Sequence, residues 1–339
     1  MGAVLFATHP RLVDHDTGPG HPERPARLGA VTDGLAEAGL QDALLRVEPR
    51  PATRAELEAV HPADHLDRIE ALCAAGGGNI DADTRVSAAS WEVALLAAGA
   101  GVDAIDRLDR GEADAGFVAV RPPGHHATAD RSMGFCLVNN VAVAARRLAD
   151  RGERVLVVDI DAHHGNGTQD IFWDDPRVLY VSFHQHPLYP GTGAAGEVGG
   201  VDAVGGNVNF PLPPGATGDV YRSAIETVLA PHVEAWQPTW LLISAGFDAH
   251  RRDPITDLGL SAGDYAEVTA DLLAFAPAGR RLVFLEGGYD LTALKLCSAA
   301  TVAALLDEPN RPEAATTGGP GHEVLATVAA AHRDAREGA

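Results

Sequence analysis

The run Val155-Leu156-Val157-Val158 is apolar and β-branched, and it breaks at once into Asp159-Ile160-Asp161-Ala162-His163-His164-Gly165-Asn166-Gly167-Thr168. A strand of that composition has to be buried on both faces, so it belongs inside a parallel sheet covered by helices. In open sheets of this kind ligands sit beyond the carboxyl ends of the strands, where the change of character falls. Extended chain alternates with period two, which lets Asp159, Asp161 and His163 share one face. Carboxylate and imidazole donors placed this way suit a zinc-like ion, which takes such ligands at about 2.0–2.2 Å.

Other apolar runs end in the same manner. Residues 117–120 lead into Arg121-Pro122-Pro123-Gly124-His125-His126, and residues 178–182 into Phe183-His184-Gln185-His186. Residues 241–244 lead into Ala245-Gly246-Phe247-Asp248, and residues 282–285 into Glu286-Gly287-Gly288-Tyr289. A first strand is expected at 4–7. Helical patterns separate these runs: 26–38, opened by Pro25 and closed by Gly39; 57–72; a helix capped by Ser90 and running to about 108; 140–149; 219–236; and 263–275. Gly76-Gly77-Gly78 reads as a flexible link, and His61 and His65, four apart, as a surface or packing pair. Residues 187–218 hold nine glycines and five prolines, which suits a loop at the rim of a site or a plain surface excursion. Strand and helix alternate throughout, so the fold class is α/β with a mainly parallel sheet. With no repeat or linker, one domain is expected over 1–339, with about 310–339 a helical and polar C-terminal extension.

Composition narrows the function. A net charge of −21 argues against a basic nucleic-acid surface and is compatible with a cationic substrate. Cys73, Cys136 and Cys297 form no CxxC pair, which points to a reducing compartment and away from a thiolate metal site. The start of the chain lacks a signal-type pattern, and no run approaches the ~18 apolar residues of a membrane span. A soluble cytoplasmic protein with no direct nucleic-acid or membrane partner is the expectation; a homo-oligomer is compatible with it.

Strands of a parallel sheet run one way, so His125 and His126, Asp159 to His163, Asp248 and Tyr289 should meet on one rim. Asp161, His163 and Asp248 make a three-ligand set that leaves coordination positions open, as a catalytic ion requires. Water on such an ion ionises near pH ~7. Adjacent imidazoles can hold different charge states, which makes His125 and His126 proton shuttles. The Tyr289 phenol can donate to an oxyanion opposite the metal. These parts describe metal-assisted hydrolysis of an amide.

The same pieces, with Gly134-Phe135-Cys136, resemble the histone deacetylase family and its bacterial relatives that act on acylated amines. The resemblance implies the arginase/deacetylase-like three-layer sandwich, an eight-stranded mainly parallel sheet with helices on both sides. It implies zinc on Asp161, His163 and Asp248, Tyr289 polarising the acyl carbonyl, His125 oriented by Asp159, and His126 by Asn166. Asn166 is similar to the class II branch. Gly134 and Phe135 would wall the acyl-amine tunnel opposite Tyr189, Arg24 would line an inner acetate channel, and Asp81 or Asp83 would hold the substrate at the rim. A structural K⁺ would take Asp159, Asp161, His163, Ser182 and Phe183. Ile255 aligns with a position that is acidic in polyamine-specific relatives, so acyl-lysine substrates are expected over acetylated polyamines. His184, His186 and His250 are expected to be structural or solvated.

Three rivals stand beside the zinc deacylase. An acetylpolyamine amidohydrolase is the nearest in chemistry. A two-metal ureohydrolase needs a second Asp-x-Asp pair, which Phe247-Asp248-Ala249-His250 lacks. A silent acyl-lysine binding protein is disfavoured by the full set of reactive residues.

Overall fold

Apolar runs form strands and amphipathic stretches form helices in the expected alternation. The computed structural model describes residues 3–338; residues 1, 2 and 339, which the whole-chain domain expectation also spans, lie outside the described residues. Strand β1 (Val4–Ala7) is followed by α1 (Ala26–Glu37), β2 (Leu44–Val47), α2 (Arg54–Glu58) and α3 (Ala63–Ala74). A hairpin of β3 (Gly77–Asn79) and β4 (Arg85–Ser87) precedes α4 (Ser90–Asp109), β5 (Ala115–Val118) and α5 (Asn140–Ala149). Next come β6 (Val155–Asp159), α6 (Asn166–Phe172), β7 (Val178–Gln185) and β8 (Asn207–Leu212). Helix α7 (Gly218–Ala224) runs through a π turn at Ile225–Leu229 into α8 (Ala230–Trp236). The chain continues through β9 (Trp240–Ala245), α9 (Ala262–Leu273), β10 (Arg281–Leu285), α10 (Leu291–Leu305) and α11 (His322–Gly338).

The main sheet has eight strands in the order β2-β1-β5-β10-β9-β6-β7-β8, and every neighbouring pair is parallel. Helices α4 and α5 pack together against one face, and α1, α10 and α9 form a row against the other. Val155 to Val158 are fully buried between the two layers. The carboxyl ends of β5, β10, β9 and β6, four adjacent strands, therefore open on the same rim.

Several local expectations are corrected. The 57–72 helix is broken: Pro62 is extended (φ −58°, ψ 145°) and starts α3, because it has no N–H to continue α2. His61 lies ahead of that break, its Nδ1 at 2.9 Å from the Ala129 carbonyl and its Nε2 accepting from the Asn139 N–H, so it is a packing histidine. Gly77 and Gly78 are strand residues, paired with Ser87 and Val86, rather than a flexible link. Ser90 is the first residue of α4 and caps nothing; its Oγ accepts from the Ser87 N–H and meets His15 Nδ1 at 2.7 Å. The Gly- and Pro-rich segment contains β8, and β2 forms the opposite edge with Leu45 and Arg46 exposed. Residues beyond 310 are fastened to the body: Glu313 takes His250 Nε2 (2.7 Å), Arg251 (2.6 Å) and the Ala262 N–H, while α11 packs against β8. Among the described residues no helix is long and apolar enough to cross a membrane.

Beneath the rim, Glu23 is buried between two buried arginines. Arg121 grips it bidentately (2.8 and 2.7 Å), and Arg27 approaches its Oε1 at 3.3 Å. Burial alone would raise the Glu23 pKa, but hydrogen bonding and charge from Arg121, with Arg27 adding, hold it at about 2. The folded value lies below the ordinary 4.5, so this contribution is complete above pH 4.5 and is lost as pH falls toward 2. Glu23→Gln leaves two buried guanidinium groups without their anion and should destabilise the fold by about 3–5 kcal/mol near neutral pH. Urea denaturation across pH checks this: the gap to the parent should close between pH 4.5 and 2, and a small or pH-independent gap contradicts it.

Candidate active site

The reactive side chains arrive at the rim on the ends of several strands. Asp161 and His163 follow β6, and Asp248 follows β9, the neighbouring strand. One donor atom from each of the three lies within 4.8 Å of the others, and it is the one such cluster of three among the described residues. His163 Nδ1 sits 3.1 Å from Asp161 Oδ1 and 3.0 Å from Asp248 Oδ2. Backbone amides hold the other carboxylate oxygens: the Gly287 N–H donates to Asp161 Oδ2 and the Ala162 N–H to Asp248 Oδ1, both at 2.8 Å. A Cβ added at Gly287 would run into these carboxylates, so the approach of the β10 loop requires glycine there. Burial disfavours a charged His163, yet the two carboxylates push it up to about 10. A field that holds a proton this firmly also favours a divalent cation on the same nitrogen and two oxygens, so the donor set fits a zinc-type ion.

The tandem histidines sit side by side with ring centroids 4.0 Å apart, and their environments differ. His125 Nδ1 meets Asp159 Oδ2 at 2.9 Å, and His126 Nδ1 meets Asn166 Oδ1 at 2.8 Å. Burial opposes charge on His125, but Asp161 and Asp159 lift its pKa well above the ordinary value. Burial lowers that of His126, and the neighbouring His125 and His163 lower it further. One imidazole thus carries a proton that the other lacks. Tyr180 donates its hydroxyl to the same Asp159 oxygen at 3.1 Å.

Tyr289 closes the site from the β10 end. Burial pushes its phenol well above the usual range, with Arg27 opposing and Asp248 and Asp161 adding, so the hydroxyl keeps its proton. A cavity of about 250 Å³ is lined by Asp83, His126, Gly134, Phe135, His163, Leu188, Tyr189, Ile255 and Tyr289. The Phe135 and Tyr289 rings meet edge to face at 5.8 Å, and Tyr189 stands edge-on to His126 at 5.1 Å. Asp83 therefore reaches the cavity, while Asp81 is spent on the turn, its Oδ1 accepting the Asp83 and Thr84 N–H groups.

Arg24 is misplaced by the sequence reading. It is exposed and precedes α1, while Arg27, the second residue of that helix, is buried with its guanidinium 5.1 Å from the Tyr289 ring centroid. Arg27 Nε donates to the Gly288 carbonyl at 2.8 Å, and its Nη2 donates to the Glu286 carbonyl. Glu286 was also passed over: its Oε2 accepts the Gly124 and His125 N–H groups, tying β10 to the histidine loop, and burial pushes its carboxyl up to about 7. Its place directly after an apolar strand was the signal available. Of the residues expected to hold K⁺, Ser182 pairs in register with Asp159 across β6 and β7, and Phe183 follows it on β7. Ser182 Oγ lies 2.9 Å from His184 Nδ1. His184 is structural, its Nε2 facing the Gly193 carbonyl, and His250 is held by Glu313.

The chain matches the histone deacetylase domain family over residues 21–305. It is 40% identical over 304 residues to a probable deacetylase of Archaeoglobus fulgidus, covering 88% of this chain and 84% of that protein. A histone deacetylase-like amidohydrolase of Pseudomonas aeruginosa is 37% identical over 292 residues, covering 84% of this chain and 77% of that one. The crystal structure of the HDA15 HD domain superposes with a TM-score of 0.90 at 37% identity, covering 98% of this chain and 94% of that one. With the fold, the rim and the sequence in agreement, the chain belongs to the histone deacetylase family, whose members here include deacetylases and amidohydrolases.

Proposed function

We propose that the protein is a zinc-dependent deacylase that hydrolyses the amide of acylated amines, with acyl-lysine compounds as its main substrate class. The observation that carries this reading is the convergence of Asp161, His163 and Asp248 within 4.8 Å beside a cavity that also receives His126 and Tyr289. Zinc held by those three residues would supply Lewis acidity toward the acyl oxygen and a water ionising near pH ~7. His126 donates its Nδ1–H to Asn166 Oδ1, which leaves Nε2 as a lone pair able to take the proton of the attacking water. His125, charged against Asp159, favours the negative charge that develops on the acyl group. The Tyr289 hydroxyl donates to the acyl oxygen as the carbon becomes tetrahedral. The proton on His126 Nε2 then passes to the leaving amine as the C–N bond breaks. Phe135 and Tyr189 confine the aliphatic chain, and Asp83 is placed to accept a substrate N–H at the mouth.

A structural K⁺ fits Asp159, the backbone of Asp161 and His163, Ser182 and Phe183. His184 supports it, because its Nε2 must donate to the Gly193 carbonyl, so Nδ1 accepts the Ser182 hydroxyl proton and turns the oxygen lone pairs away. A two-metal ureohydrolase is disfavoured, since His250 turns toward Glu313 instead of joining the ligands. An acetylpolyamine amidohydrolase has Asp83 in its favour as an anionic group on the cavity. Ile255, on the same cavity, offers nothing to a second ammonium.

Tyr289→Phe should keep its fold and zinc and lose roughly 10²–10³ in kcat, which an acetyl-lysine reporter measures; an unchanged rate removes the phenol from the mechanism. Asp248→Ala should lower zinc content sharply by elemental analysis, and normal occupancy would remove it from the ligand set. In a substrate panel, kcat/KM for acetylspermidine should fall below that for acetyl-lysine peptides. Equal or better turnover of the polyamine would favour the second reading.

A further inference from the structure

Two loops meet above the cavity. One leaves β9 after Ala245 and carries Asp248 and Ile255; the other leaves β10 and carries Tyr289. The second loop is fixed as far as Gly288 by the Asp161 and Arg27 contacts already described and by the Phe247 N–H, which donates to the Gly287 carbonyl at 3.0 Å. None of these hydrogen bonds reaches the Tyr289 backbone. Its own N–H donates to Asp253 Oδ2 at 2.7 Å, and the Asp290 N–H reaches the same oxygen at 3.4 Å. The other oxygen, Oδ1, accepts the Ile255 N–H at 3.1 Å.

The bond to Ile255 alone is an ordinary aspartate turn. It does not account for the second oxygen, which reaches a loop 36 residues away. Asp253 is 7% exposed and makes no ion pair with a basic side chain among the described residues. A buried carboxylate is costly unless its lone pairs are met, and here backbone amides from two loops meet them. We propose that Asp253 is a positioning residue whose carboxylate locks the Tyr289 loop to the rim loop, fixing the phenol relative to the metal ligands. This rests on the reading of Tyr289 as the carbonyl donor. An amide in the same place offers one acceptor oxygen and turns an NH₂ toward an N–H, so it can hold one loop but not both.

The test compares the parent, Asp253→Asn, Tyr289→Phe and the double variant by zinc content, thermal midpoint and turnover of an acetyl-lysine reporter. Misplacing a reacting group by an ångström costs on the order of 10²-fold, so Asp253→Asn should lower kcat by about 10–10²-fold with KM and zinc content little changed. On the Tyr289→Phe background the same change should cost less than about threefold, because the phenol it positions is already gone. Amide hydrogen exchange gives a readout independent of activity. Protection should fall in Asp253→Asn at Tyr289 and Asp290 or at Ile255, and remain at the strand cores. Equal losses on both backgrounds, a parent-like kcat, or unchanged protection at all three amides would each overturn the inference. Asp253→Glu, which keeps the charge but displaces it, is the second variant if the asparagine protein does not fold, with the same expectations. A parent-like rate for Tyr289→Phe alone would instead sink the reading of the phenol.

Discussion

Two carboxylates held side by side in the interior set the terms for the rest of this structure. Asp161 and Asp248 are fully buried, and like charges removed from water repel one another unless donors and cations answer them. Backbone amides answer part of the charge, from Gly287 after β10 and from Ala162 and His163 after β6. Those amides can converge only if β10, β9 and β6 are neighbours in the sheet, which is their order. His125 answers more of it with its own proton, and at His163 Nδ1 the rest is answered either by a proton or, in its place, by a divalent ion. The sheet topology and the site chemistry are one constraint seen at two scales.

That constraint propagates outward in rings. Glu286 binds the histidine loop through two amides, Arg27 binds the Glu286 and Gly288 carbonyls, and Glu23 joins Arg27 to Arg121. On this path the ion pairs are those of Glu23 with Arg121 and Arg27, whereas the Glu286 carboxylate is met by backbone amides and Arg27 reaches Glu286 through its carbonyl. The arrangement carries a high stake: loss of one member exposes the next to an uncompensated field. It also explains how Tyr289 stays a neutral phenol close to two carboxylates and an arginine, since burial and the carboxylates outweigh the guanidinium.

Most of the rim was legible from the sequence, for a reason that does not depend on side-chain detail. Parallel strands share a direction, so residues that end apolar runs share an edge, and Asp161, His163, Asp248, His126 and Tyr289 follow from that alone. What escaped was of two kinds. The phase of α1 turns Arg27 inward, while Arg24 precedes the helix and is exposed, and a motif read as a string shows neither the helix start nor its phase. The edge strands β2 and β8 escaped because edges are half-exposed or Gly- and Pro-flanked and lack the buried-strand signature.

The loop from Asp248 to Ile255 shows how selectivity and chemistry can share a short segment without interfering. Its first residue belongs to the ligand cluster, its Asp253 holds Tyr289, and Ile255 faces the cavity. His250 and Arg251 anchor its middle to Glu313, far along the chain. Asp253 grips residue 255 by its backbone N–H, which every residue but proline possesses, and not by its side chain. The side chain at 255 is then free to be apolar or acidic, and the rim can be re-tuned for a different amine while the phenol keeps its place. A fold that separates the two in this way can serve many acylated substrates with one constellation of reactive groups.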